Sequence, residues 1–423
     1  MTTMKDSGNP WVREIPSDWF EKKLRYLVKL RGEKSVTTDY KKYVGLENIM
    51  SQTGQYVQTG IEVDLTENLT FEVGDILFGK LRPYLRKYWR AEFSGTASSE
   101  FVIIKGSSLN LKFLFWAIQS DSFINDVDSS TYGSKMPRAS WEYMKNIKLP
   151  FPESIEEQAK IADFLDKKVA QLDKVKSLLE EQIKTLEDYR QSLIYETVTK
   201  GLDKTVPLKD SGVDWIGQIP EGWGVKPIKY LVSTPVTDGP HETPTLYDEG
   251  IPFLSAESVK NGILDFRYKR GYISETAHKI FSRKVSPQKN DIFIVKSGAT
   301  TGNVGIVNTD EIFDIWSPLA LVRTRSDLAN QKFIYYFMLS DAFTKQIQNK
   351  WSFGTQQNIG MGVIEKIKLV VPPLGEQTPI ADFLDKNTEQ INQMIAIKKE
   401  QIENINKQRQ TLIYDYVTGK RRI

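Results

Sequence analysis

Residues 80–90 read KLRPYLRKYWR: five basic side chains, no acid, and Tyr84, Tyr88 and Trp89 set among them. Residues 267–296 hold eight basic side chains against Glu275 and Asp291. Cations at this density neutralise phosphates, and interleaved planar rings suit sugars and bases. Lys80, Arg82, Tyr84, Arg86 and Lys87 in the first stretch are candidate DNA contacts, with Arg283, Lys284 and Lys296 in the second. A solvated basic edge is the plainer reading of either stretch taken alone.

Two loops add a different chemistry. Gly133-Ser134-Lys135-Met136-Pro137-Arg138 and Gly354-Thr355-Gln356-Gln357-Asn358 each place a glycine and a hydroxyl ahead of long hydrogen-bond donors. Gln and Asn pair bidentately with adenine, and Arg or Lys with guanine. Ser134, Lys135 and Arg138, and Thr355, Gln356, Gln357 and Asn358, are therefore candidates for base-edge readout; plain polar turns are the alternative. The differing residues suit loops that read different sequences. Residues 297–303 (SGATTGN) are Gly-rich but lack the Gly-Lys-Ser/Thr ending of a nucleotide-binding loop. Thr300 and Asn303 stay with the DNA-contact candidates.

Signals for catalysis are missing. The chain has no cysteine, which removes a thiol nucleophile and thiolate metal sites. Its two histidines, His241 and His278, stand 37 residues apart and read as surface residues. No Asn-Pro-Pro-aromatic tetrapeptide of an amino-methyltransferase and no GxGxxG after a strand occurs. No catalytic, metal or cofactor site is expected in this chain.

The elements that must position these groups are written twice. Residues 157–200 and 376–419 align without a gap at an offset of 219, with 20 identities in 44 positions, including IADFLDK at 161–167 and 380–386. Upstream, KDSG, Trp11, Ile15-Pro16, Trp19 and Tyr26-Leu27-Val28 recur 204 residues later as KDSG, Trp215, Ile219-Pro220, Trp223 and Tyr230-Leu231-Val232. The second half therefore carries about 15 extra residues between its repeated segments. Leu165, Leu172, Leu179, Leu186 and Leu193 recur every seven residues; Leu384, Ile391, Ile405 and Leu412 continue the pattern in the second copy, with Lys398 an anomaly on the seam. Such heptads predict long helices pairing as a coiled coil, each a rod of roughly 66 Å. Tandem duplication makes an antiparallel pair about a pseudo-two-fold axis the simplest packing. Strands are expected at 71–78, 101–104, 290–295 and 319–322, and short helices at 111–119 and 332–339. The fold class is α+β: two mixed α/β regions, 1–152 and 206–373, joined by two helical spacers, 153–205 and 374–423.

The repeat also places the charge. Of the net +3, the segments 153–200 and 374–418 carry −3 and −2, which leaves +8 for the remainder. Basic patches at corresponding places of both halves favour nucleic acid over an idle edge.

The twin helices with IADFLDK and LIYxxVT, and the twin KDSGxxWxxxIPxxW segments, resemble the specificity subunits of type I restriction-modification enzymes. The resemblance covers essentially the whole chain and extends to GDILF at 74–78 and LRPY at 81–84. It implies two target-recognition domains, each reading one half of a split double-stranded DNA sequence. It also implies helices that fix the gap between the halves and dock two methylation subunits. Those partners would bind S-adenosylmethionine and methylate adenine, and a translocase-nuclease subunit would join to cleave unmodified DNA. Glu181-Gln182 and Glu400-Gln401, repeated in mid-helix, are the candidate docking positions. A prokaryotic cytoplasmic location follows, in keeping with polar first residues, no apolar run near the ~18 residues of a membrane span, and no cysteine. A specificity chain for a fused methylase-nuclease, or a coiled-coil adaptor that binds no DNA, remain the alternatives.

Overall fold

Residues 76–78, 101–104, 292–295 and 319–322 are uninterrupted apolar runs, and strands made of such runs need cover on both faces. The computed structural model of the chain describes residues 3–9, 12–36, 42–59, 67–132, 136–350, 352–353 and 357–423. It divides into two compact units, Met1–Glu181 with Lys398–Ile423, and Gln182–Ile397.

In the first unit Phe101–Ser107 lies between Val28–Leu30 and Ile76–Gly79, with Tyr88–Arg90 at the edge, all antiparallel. Successive side chains of a strand face opposite ways. Ile76, Phe78, Val102 and Ile104 accordingly enter one core, and Leu77, Phe101 and Ile103 another. A smaller sheet of Lys34–Val36, Glu67–Phe71, Gly95–Ala97 and Tyr43–Val44 contributes Phe71, Ala97 and Val44 to the second core.

The second unit repeats this design. Leu319–Val322 lies between Thr237–Asp238 and Ile292–Val295, and the sheet continues through Val304–Ile306, Ile263–Leu264 and Val259–Lys260. Ile292, Ile294, Ala320 and Val322 face one core; Phe293, Val295, Leu319 and Leu321 face the other. All four expected strands are present. So are the short helices, as Leu111–Ala117 and Gln331–Leu339, each capped by an asparagine (Asn110, Asn330) that accepts from the N–H groups two and three residues on. Each is followed by a further helix, Asp121–Ser129 or Asp341–Gln348.

The long helices run Ile155–Lys200 and Leu374–Val417. The repeated IADFLDK block is a joint. Ile161, Ala162 and Leu165 are buried against the first unit's core, and Ile380, Ala381 and Leu384 against the second's. Just ahead, Gln158 Oε1 accepts from the Asn110 N–H (2.8 Å) while its Nε2 donates to the Pro152 carbonyl (2.8 Å). Gln377 does the same with Asn330 (2.7 Å) and Pro372 (2.9 Å). Asp166 accepts from Trp116 Nε1 at 2.9 Å, and Asp385 from the Tyr336 hydroxyl at 2.7 Å.

The far ends are also alike. Gly201 and Gly419 follow the two helices at φ +72° and +74°, the left-handed conformation of a helix C-terminal cap. A Cβ on Gly201 would stand 2.9 Å from the Trp223 ring, and one on Gly419 2.5 Å from Pro16 and 3.1 Å from Trp19. The KDSGxxWxxxIPxxW repeat is thus the receptor for a helix end; its Trp11 lies outside the described residues. Along the middle of the first helix, from 170 to 193, no side chain is fully buried. Val175 and Leu178 are exposed there, as are Met394 and Ile397 at the equivalent places of the second helix.

Candidate nucleic-acid interface

The basic stretch at 80–90 folds as a strand end, a tight turn and a second strand. Arg82 and Arg86 take positive φ (+50° and +54°) on either side of the short helix Pro83–Leu85. Non-glycine residues adopt that conformation at a cost, and only where the surroundings over-determine it. Here the Arg82 N–H donates to the Pro137 carbonyl (2.7 Å), and the Ala139 N–H to the Lys80 carbonyl (2.9 Å). The two loops chosen independently from the sequence are therefore laced together in the first unit.

The second unit laces its pair the same way. The Ile359 N–H donates to the Lys296 carbonyl (2.7 Å), the counterpart of the Ala139–Lys80 bond, and the Gly298 N–H donates to the Gln357 carbonyl (3.2 Å). Thr301 Oγ bonds the carbonyls of Gly298 (2.7 Å) and Gln357 (3.2 Å). Lys80, Arg82, Tyr84 and Arg138 thus share one surface region, and Lys296, Thr300, Gln357 and Asn358 another. Asn303 is exposed close by, and Arg283 is exposed just beyond the helix Glu275–Phe281. Ser134, Lys135, Thr355 and Gln356 lie outside the described residues.

Several of these cations already have partners. Arg86 pairs with Asp121 (2.5 Å), and Lys87 donates to the Leu46 carbonyl (2.6 Å), where burial holds its pKa below the ordinary lysine value. Arg138 makes a two-pronged pair with Glu100 (2.7 and 3.1 Å). Lys284 and Lys296 both reach Asp238, at 2.6 and 2.8 Å. Asp238 is wholly buried. Burial opposes its charge, but the two ammonium groups outweigh that and hold its pKa below the ordinary value. These side chains shape the loops from within. The aromatic expectation is corrected as well: Tyr88 and Trp89 are core residues, because the strand Tyr88–Arg90 must be covered on both faces, and only Tyr84 of the three is exposed.

Other exposed aromatic residues carry no signal of their own in the sequence. Tyr132 is exposed at the base of the first loop, bonded through its backbone to Arg138. Arg25 lies over the exposed Tyr26 ring at 4.9 Å, and Lys229 over the exposed Tyr230 ring at 4.8 Å. The recurrence of Tyr26 as Tyr230 was the available signal, read only as repeat. His278 is not a plain surface residue: Nδ1 lies 2.6 Å from Asp314, whose pKa burial pushes up. His241 is exposed, 3.1 Å from Asp238. No cluster of His, Asp or Glu able to hold a metal occurs among the described residues, and none of their helices is long and apolar enough to cross a membrane. Glu400 and Gln401 are exposed in mid-helix, as are Glu181 and Gln182.

Each unit thus carries the same sheet-and-helix design with a laced loop pair. The family model for the type I restriction modification DNA specificity domain matches residues 16–187 and again 220–404, and the chain belongs to that family. The MjaVIII specificity subunit of a type I restriction enzyme from Methanocaldococcus jannaschii is 25% identical over 435 aligned positions, covering 97% of this chain and 94% of that one. The EcoKI specificity subunit of Escherichia coli strain K12 is 27% identical over 215 positions, 48% of this chain and 44% of its own. A chain solved in work on complex assembly and conformational transition of the type I R-M system superposes with a TM-score of 0.70 at 19% identity. That superposition covers 96% of this chain and 99% of the other. The chain is a DNA-specificity subunit of the type I restriction-modification class, a recognition component rather than a catalytic one.

Proposed function

We propose that the chain reads a split double-stranded DNA sequence, one half with each unit, through the laced loop pairs at 80–84 with 136–138 and 296–301 with 357–358. The observation that carries this reading is the shared backbone lacing under different side chains. A common scaffold with variable polar residues is what two readers of different base sequences require. The partly buried cations Arg86, Lys87 and Lys296, with the more exposed Lys284, are paired and hold the loops in shape. Tyr84, Arg283, Asn303, Gln357 and Asn358 are the side chains that meet DNA, with Lys80 and Arg82 at the turn.

The two long helices act as an antiparallel spacer. Within the first unit, the Phe164 and Tyr416 rings meet at 4.6 Å, tilted by 41°, and Asp173 lies 3.5 Å from Arg409, contacts that run in opposite chain directions. A spacer of fixed length makes affinity depend steeply on half-site separation, since a mismatch forfeits one of the two contacts. The exposed pairs Val175/Leu178 and Met394/Ile397, beside Glu181-Gln182 and Glu400-Gln401, are the surfaces on which two methylation subunits dock. Those subunits bring S-adenosylmethionine and methylate adenine; a translocase-nuclease completes a complex that cleaves unmodified DNA in a prokaryotic cytoplasm.

Exchanging residues 20–150 for another recognition domain, then mapping methylated adenines in the host genome, tests the modular reading. One half of the recognised sequence is expected to change while the other half and the gap persist. A change in both halves, or in neither, sinks the proposal. Charge introduced at Val175 and Leu178 is expected to abolish co-purification with a methylation subunit and to leave the chain folded.

A further inference from the structure

Each unit sets an arginine of a long helix against its recognition domain, Arg409 in the first and Arg190 in the second, 219 residues apart like the rest of the helical repeat. Their surroundings differ. Arg409 is only 5% exposed: its Nε lies 3.5 Å from Asp173, its Nη2 3.4 Å from Gln119 Oε1, and its guanidinium 5.9 Å from the Trp116 ring. Tyr88, fully buried, fills the adjoining space edge-on to Phe115 at 5.9 Å.

In the second unit the residue equivalent to Asp173 is Asn392, so the countercharge is gone. Tyr88, which pairs with Phe78, is replaced by Val304, which pairs with Ile294 in the same register. Losing a ring and a charge opens a cavity of about 320 Å³ lined by Arg190, Asn261, Asn303, Thr344, Thr388 and Asn392, among others. Arg190 is the only charged side chain in that lining. It donates to the Asn392 amide oxygen, a neutral partner, and makes no ion pair with any described carboxylate. Asp385 nearby is already held by Lys332 and the Tyr336 hydroxyl.

A guanidinium offers five N–H donors in a planar fork that matches phosphate and carboxylate. The amides of Asn261, Asn303 and Asn392 add N–H donors, enough with the guanidinium for more oxygens than a carboxylate has, while the Thr344 and Thr388 hydroxyls already donate to the Ser340 and Leu384 carbonyls. The volume sits at the lower end of the ~300–1,000 Å³ range of small-ligand sites. We propose that this cavity binds a phosphate group, with Arg190 as its charge partner and the side-chain amides of Asn303 and Asn392 as further donors. The inference shares only Asn303 with the proposed DNA-reading surface, and Arg190 and Asn392, which carry it, lie outside the loops.

The test uses the full chain, titrated with inorganic phosphate and with glycerol phosphate at constant ionic strength, chloride being the control, and followed by calorimetry and thermal melting. Saturable binding at one site is expected. Arg190→Gln is expected to weaken it about tenfold or more, the scale of a charge-assisted pair. Asn392→Asp, which restores the acid that the first unit carries, is expected to abolish binding without lowering the melting temperature. Unsaturable binding, or Arg190→Gln and Asn392→Asp variants that bind like the parent, overturns the proposal. Repeating the titration with bound duplex separates the sources: displacement by duplex assigns the site to a backbone phosphate, and persistence assigns it to a free small molecule.

Discussion

The loop pairs of the two units are laced by the same backbone bonds but tied down by different charges. In the first unit the loops are braced by the exposed pair Arg138 with Glu100, in which the arginine side chain stays 45% accessible, and by the less exposed Arg86 with Asp121. In the second the brace is a buried carboxylate, Asp238, gripping Lys296, which is 13% accessible, and Lys284, which is 45% accessible. An exposed pair is screened by water and salt and is worth roughly 0–1 kcal/mol. Removing one partner of a buried pair strands the others without a countercharge, at a cost of about 3–5 kcal/mol. The same loop architecture can therefore be held loosely or rigidly. What the copies share is the backbone route, which leaves the side chains free to diverge.

The largest effect that would break this comparison is in the second unit. Asp238→Asn is expected to destabilise that unit by about 3–5 kcal/mol in chemical denaturation and to leave the first unit's transition in place. Its pH dependence has a definite sign. The folded pKa lies below the ordinary one, so the stabilisation is complete above the ordinary carboxylate range and is lost as the pH falls from about 4 towards the folded value. Acid titration of the parent should show the second unit losing stability over that window, and Asp238→Asn should flatten the loss. An unchanged acid profile would remove the buried brace from the account.

A smaller effect is expected at the helix ends. Gly419→Ala forces a side chain into the left-handed region, at about 1–2 kcal/mol, and drives its Cβ to 2.5 Å from Pro16; Gly201→Ala carries the same strain but approaches the Trp223 ring less closely, at 2.9 Å. The Gly419 variant should therefore melt lower than the Gly201 variant. Equal melting temperatures would show that strain alone, not the close approach, sets the cost.

At the joints, Tyr336→Phe removes the hydroxyl bonded to Asp385 and Thr388 with little change of volume, whereas Trp116→Phe removes the bond to Asp166 and also vacates buried indole volume. Tyr336→Phe is expected to cost about 1 kcal/mol and Trp116→Phe more; the reverse order in thermal melting would break the equivalence of the joints. The smallest stability effect is that of Glu100→Gln, within ~1 kcal/mol. Its informative readout is a mobility-shift assay, because freeing Arg138 should strengthen DNA binding and steepen its salt dependence.

The repeated blocks were legible because they do the same mechanical job twice. Ile161, Ala162 and Leu165 and their counterparts seat the helices, so their apolar spacing is imposed by the core. The strands were legible from runs such as Phe101-Val102-Ile103-Ile104, which only a sheet covered on both faces accommodates. The candidate site was half legible: the basic and polar segments are the ones the backbone bonds lace together, with no indication in the sequence of which cations are paired. Arg86 and Arg138 have the same residue type and flank the same loops, yet one is bound to Asp121 and the other to Glu100, partners 35 and 38 residues away. Local composition carries no information about such distant acids.

By itself the sequence determined the duplication, the alternation of sheet-forming and helical segments, and the excess of positive charge outside the helices. Each follows from periodicity and composition, which act over a few residues at a time. The tertiary structure alone decided that Tyr88 and Trp89 are core, that Asp238 gathers two lysines, and that Asn392 and Val304 leave Arg190 beside a cavity. Those outcomes depend on side chains brought together from positions tens to hundreds of residues apart, and only the folded backbone sets those distances.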